Sequence, residues 1–162
     1  MPDSLITDEM RAAIGKESEP VTHELDRTAI RMFARSVGHT DPLFYDVEVA
    51  RAAGYRDIPA PPGYLGTPVF DLVQSDPTTG RRRGAGELQA SRPLNRRLNG
   101  GTDIEYLGEI CAGDVLSARS HLSDVQERKG SIGDMLISTN KTTFRNQRGE
   151  VVAIVTGTGI RY

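Results

Sequence analysis

Three polar side chains able to move protons or form hydrogen bonds, His39, Thr40 and Asp41, fall between Gly38 and Pro42. Histidine changes charge near neutral pH, and a nearby carboxylate can orient it, so His39 and Asp41 form a candidate acid–base pair. Pro42 fixes its own φ and steers Asp41 away from helical backbone, which makes the loop stiff. Asp41 has a second use. A short amphipathic run follows (Val47, Val49, Ala50 and Ala53, closed by Gly54), and an aspartate just before it can cap it, with His39 then simply solvated.

The remaining chemistry-bearing residues are scattered. His23 and His121 stand alone, and with His39 they show no metal-ligand spacing. Cys111 is the only cysteine, which excludes an internal disulfide or a cysteine cluster. Asp71 sits in an apolar stretch, where a carboxylate is costly unless paired or exposed near an end. Arg81, Arg82, Arg83, Arg92, Arg96 and Arg97 crowd a polar stretch, Ser75 to Asn99. They read either as a solvated loop or as a flap whose guanidinium groups meet phosphate. No Ser/His/Asp motif, Rossmann glycine pattern or phosphate-loop lysine is visible.

The elements that would position these residues follow from hydrophobic spacing. Leu5 to Ile14 reads as a short helix capped by Asp3 or Ser4, forming a peripheral segment over residues 1–19. Val21 to Val37 reads as a longer helix capped by Thr22, with Leu25, Ala29, Ile30, Phe33, Ala34 and Val37 on one stripe and Gly38 ending it. Prolines break Arg56 to Pro62. Gly63 to Gln74 is short and apolar, and periodicity alone leaves helix and strand open. From Gly100 onward the pattern alternates. It gives strands around Thr102–Tyr106, Val115–Val125, Met135–Phe144 and Val151–Ile160, joined by GEICAGD, ERKGSIGD and NQRGE. An early helical half and a late antiparallel meander make one α+β domain over 1–162.

Bulk properties narrow the function. The 162 residues are 37% hydrophobic and 26% charged, which supports a packed core. A net charge of −2 makes no electrostatic case for nucleic acid or an anionic membrane. No run approaches the roughly 20 apolar residues of a membrane span. The acidic amino terminus has no signal-peptide pattern, so a cytoplasmic protein is expected.

Gly38, Thr40, Asp41, Pro42 and Leu43 resemble the overhang motif of the MaoC-like dehydratases, hot-dog proteins acting on acyl thioesters. The likeness runs from about Pro20 to the end. It is closest to the amino-terminal-half branch, similar to the dehydratase domain of fungal fatty-acid synthase. The resemblance implies a hot-dog fold, with the antiparallel sheet wrapped around a central helix at Gly63 to Gln74. It also implies backbone N–H groups that hold the thioester oxygen, one of them at the start of the central helix, a position matched here by Gly63. Two positions depart from the family. Its catalytic aspartate falls on His39 and its catalytic histidine on Phe44, so the frame is present without the dyad.

Hydrating an enoyl thioester, or dehydrating a 3-hydroxyacyl one, needs a base, an acid and donors for an enolate-like oxygen. The leading expectation is a subunit without the dyad, paired with a second hot-dog chain that supplies it. In this reading Gly63, Tyr64, Phe44 and the arginines Arg81 to Arg83 would bind substrate. The thioester would be the only small molecule, with no cofactor or metal. The alternatives are a stand-alone hydro-lyase using His39 and Asp41, a thioesterase using Asp71, and a non-catalytic thioester-binding homodimer.

Overall fold

The computed structural model describes residues 4–73, 75–78, 88–131 and 133–162. Its framework is a six-stranded antiparallel sheet in the order β2-β1-β4-β5-β6-β3. The strands are β1 (Val21–Glu24), β2 (Thr67–Pro68), β3 (Arg97–Tyr106), β4 (Val115–Gly130), β5 (Gly133–Arg145) and β6 (Val151–Arg161). Three helices accompany it: α1 (Asp8–Ala13), α2 (Arg27–Ser36) and α3 (Val47–Ala52). Among the described residues, no helix is long and apolar enough to cross a membrane.

The late meander follows from alternation, and the expected turn at NQRGE joins β5 to β6. At ERKGSIGD the strands run further than the polar residues suggest, to Gly130 and from Gly133. β3 is exposed along almost its whole length and forms one edge of the sheet. The other edge is the two-residue β2, where Pro68 lacks the N–H that pairing would need.

Two helical expectations are corrected. Residues Val21–Glu24 are a strand, and α2 begins only after Asp26, whose carboxylate accepts from the Ala29 N–H at 3.0 Å. The extended preference of β-branched Val21 and Thr22 prevails there, and β1 pairs with β4. Nor does the helix expected over Gly63 to Gln74 form. The described residues of that stretch are turns and irregular backbone around β2. Gly63 and Gly66 take φ of 92° and 87°, which a right-handed helix cannot contain. A side chain at Gly66 would also strike Leu25 Cδ1 at 2.9 Å.

Directly paired residues share a face, and the register therefore sorts one face of the sheet into transverse rows about 7 Å apart. The first row is Tyr106, Ala153, Phe144 and Ala118. Next come Ile104, Val155, Thr142 and Ser120, and then Thr102, Gly157, Asn140 and Leu122. The fourth row is Asn99, Gly159, Ser138 and Val125. The last contains Arg161 and Leu136.

This inner face is covered at its two ends. α2 packs Ile30 into the main core with Leu25, Ile58, Leu116, Ala118, Phe144 and Ala153. Fully burying such a side chain stabilises the fold by about 1.5–3 kcal/mol. At the far end Leu5 and Met10 of the α1 segment meet Leu136 in a separate, smaller cluster. The segment is tied down at both ends. Glu127 accepts from the Ser4 hydroxyl and from the Ile6 N–H, while Ser18 N–H donates to Ser120 O at 2.7 Å.

Candidate active-site cleft

The loop after α2 is built as a chain of caps. Gly38 turns the backbone at φ 78°, and His39 N–H returns to Ala34 O at 2.9 Å. The Asp41 carboxylate accepts from Leu43 N–H at 2.9 Å and opens a 3-10 turn, Pro42–Phe44. Asp46 does the same for α3, accepting from Glu48 and Val49. The Tyr45 hydroxyl closes the loop by donating to His39 O at 2.5 Å.

His39 and Asp41 are therefore neighbours in sequence that face different partners. The imidazole packs against the Phe44 ring, centroids 5.0 Å apart, and among the described residues no carboxylate hydrogen-bonds to it. Phe44 in turn lines a cleft of about 360 Å3 with Leu43, Tyr55, Tyr106, Glu109 and Ile110.

Gly63 borders this cleft. Its N–H donates to the Tyr106 hydroxyl at 2.7 Å, so the group expected to hold a thioester oxygen already has an acceptor, and the Tyr106 O–H remains able to donate. Tyr64 points the other way. It is buried against Phe33, rings 5.1 Å apart, with its hydroxyl 2.9 Å from Thr67 Oγ1. Arg81, Arg82 and Arg83 lie outside the described residues. Asp71 is exposed in a turn, its carboxylate accepting from Val73 N–H at 2.8 Å.

Charged residues brace the cleft from behind. Arg27 grips Asp57 with two hydrogen bonds, 2.9 and 2.6 Å, and these hold the Asp57 carboxyl down at about 2. Arg56 donates to Glu109 at 3.0 Å and to Asp114. Asp114 is 1% exposed, and burial alone would raise its carboxyl. Donors from Arg56, Cys111 N–H and Gln147 outweigh that and keep it below the ordinary carboxylate range. Burial, then the hydrogen bond to Glu109, pushes the Cys111 thiol up to about 12, so it is no nucleophile.

Tyr106 and Glu109 are the polar cleft residues bonded to Gly63 and Arg56, and sequence reasoning did not select them. Alternation through Thr102, Ile104 and Tyr106 had put Tyr106 on one face with its neighbours, but nothing local said which face is lined. Among the described residues no three His, Cys, Asp or Glu side chains cluster as metal ligands. What the cleft offers is a hydroxyl donor, aromatic walls and a carboxylate tied to an arginine. The hydroxyl can hydrogen-bond a carbonyl group.

Comparison with known proteins agrees with this frame. A family model described as the FAS1-like dehydratase domain region matches residues 12–155. A UPF0336 protein of Parafrankia sp. is 32% identical over 136 residues, covering 82% of this chain and 80% of its own. A probable enoyl-CoA hydratase alpha subunit of Thermomonospora curvata is 29% identical over 134 residues, 76% of this chain and 40% of that protein. Among solved structures, the HadBC (3R-hydroxyacyl-ACP dehydratase) complex of Mycobacterium tuberculosis superposes with a TM-score of 0.64 at 20% identity. The match covers 91% of this chain and 96% of that one.

Proposed function

We propose, from the premise that the chain belongs to the FAS1-like dehydratase-region family of MaoC-like hot-dog proteins, that it is the non-catalytic half of an R-specific 3-hydroxyacyl-thioester dehydratase, or enoyl-CoA hydratase. A second hot-dog chain supplies the aspartate and histidine. The observation that carries this reading is Phe44. It occupies the family's histidine position, packs on His39 and lines the cleft, so the overhang loop has aromatic surface where an acid–base pair would be needed.

The remaining geometry suits a supporting role. The Tyr106 hydroxyl, already accepting from Gly63 N–H, is free to donate to a thioester or hydroxyl oxygen. Among the described residues no helix over 63–73 covers the middle rows of the inner face, which suits them to an acyl tail. Among the described residues β3 is an exposed edge strand that pairs with β6 on one side, and it is the natural seat for the partner's edge strand. The reaction adds water across, or removes it from, the α,β-carbons of an acyl thioester. A C–O bond at the β-carbon and a C–H bond at the α-carbon form or break together with the proton shuttling, without redox change, so no cofactor is called for. Its place is in fatty-acid metabolism in the cytoplasm.

The test is a hydration assay with crotonyl-CoA. The purified chain alone gives no hydration, and mixing it with a dyad-bearing hot-dog partner gives activity in a stable heterodimer. Hydration by the lone chain, abolished by His39→Ala, overturns the reading. Cleavage of the thioester overturns it too, in favour of hydrolysis.

A further inference from the structure

The middle of the inner face sets Ser120, Thr142, Thr102 and Asn140 among Ile104, Val155 and Leu122, so polar groups lie where an alkyl tail would want apolar ones. Its first row, beside the Tyr106 cleft, is aromatic and aliphatic, and its far end is closed by Met10 and Leu136. Between them Ser120 and Thr142 share one hydroxyl–hydroxyl bond of 2.7 Å. Among the described residues nothing hydrogen-bonds the Asn140 carboxamide or the Thr102 hydroxyl. Thr102 and Asn140 both pair with Gly157, whose missing side chain leaves nothing within 4 Å above the backbone. A cavity of about 490 Å3 opens beside Asn140, lined also by Ser120, Ser138, Met10 and Leu122 and by the charged Lys16, Glu17 and Arg161.

A plain methylene chain laid across this band would gain apolar contact from Ile104, Val155 and Leu122 but would strip water from the hydroxyls and the carboxamide without replacing their hydrogen bonds, which costs binding energy. An oxygen on the chain at that depth would satisfy them. We infer that the tail site favours acyl thioesters carrying a hydroxyl or keto oxygen in mid-chain over unsubstituted fatty acyl groups. This rests on the assignment of the inner face as the tail site. The band lies two rows from Tyr106, about 13 Å along the strands. With a zigzag rise of roughly 1.25 Å per carbon, from bonds near 1.52 Å, that depth corresponds to about the tenth carbon.

Calorimetric titration of the full chain with three probes tests this: dodecanoyl-CoA, 10-hydroxydodecanoyl-CoA and 4-hydroxydodecanoyl-CoA. The 10-hydroxy chain binds roughly fivefold to tenfold more tightly than the unsubstituted one, and the 4-hydroxy chain gains nothing. Asn140→Leu and, separately, Thr102→Val shrink the preference; both positions are exposed, so folding is not at stake. Equal or tighter binding of dodecanoyl-CoA by the unaltered protein overturns the inference and leaves the tail site standing. A preference that survives both substitutions also overturns it. Failure of all three thioesters to bind overturns the tail-site assignment and this inference together.

Discussion

The two ends of the inner face are built differently. Under α2, eleven buried residues from five stretches of chain make one core, and that end also positions the cleft. Under α1, three buried residues make a satellite, held as much by Glu127 and Ser120 at the segment's ends as by its own packing. The first end carries the fold. The second closes a cavity that the fold does not need. A lid of this kind can be adjusted without unfolding the sheet, because its loss exposes little apolar surface.

The difference can be broken by measurement. Ile30→Ala should cost about 3–5 kcal/mol in urea unfolding, since Ile30 is fully buried in the larger core. Met10→Ala should cost less, about 2 kcal/mol, and should speed amide exchange in residues 8–13 while leaving β4 and β5 protected. Equal costs at the two positions would remove the contrast. Within the cleft end, Tyr106→Phe should cost only about 1 kcal/mol, the worth of one hydrogen bond, and should weaken thioester binding more than it weakens the fold. The smallest effect is in acid. Asp57 has its carboxyl lowered from 3.8 to about 2, so the clamp stabilises the fold above 3.8 and is lost as pH falls toward 2. Asp57→Asn should flatten that loss in a thermal-melt series, without touching α1.

How much of this the sequence disclosed depended on how far each signal reached. The late strands were readable because alternation over ten or more residues is a long signal, and β4, β5 and β6 fall within or beyond the expected spans. Gly38 and Gly54 were legible for the same local reasons that make them work; Asp41 does act as a cap, but of the 3-10 turn Pro42–Phe44, while Asp46 caps the helix expected to follow it. The stretch from Gly63 was not. Its apolar composition fits a helix, yet two glycines with positive φ and Pro68 rule one out, and only the packing of Gly66 against Leu25 reveals why. Val21 to Glu24 failed similarly, because its extended form depends on β4, nearly a hundred residues away. For the site, the loop carrying His39 could be found from sequence, but the partners of its side chains could not. Asp41 turns to a backbone N–H, His39 to Phe44, and the cleft is completed by Tyr106 from the opposite edge of the sheet.

Pro68 sets a limit on assembly. A strip of sheet with two receptive borders can recruit neighbours on both sides and grow into a fibre. Here one border is two residues long and has no N–H at Pro68, while the other runs for ten. Among the described residues, strand pairing therefore has one long edge to use and no comparable second one, so the sheet is poorly suited to growing from both sides.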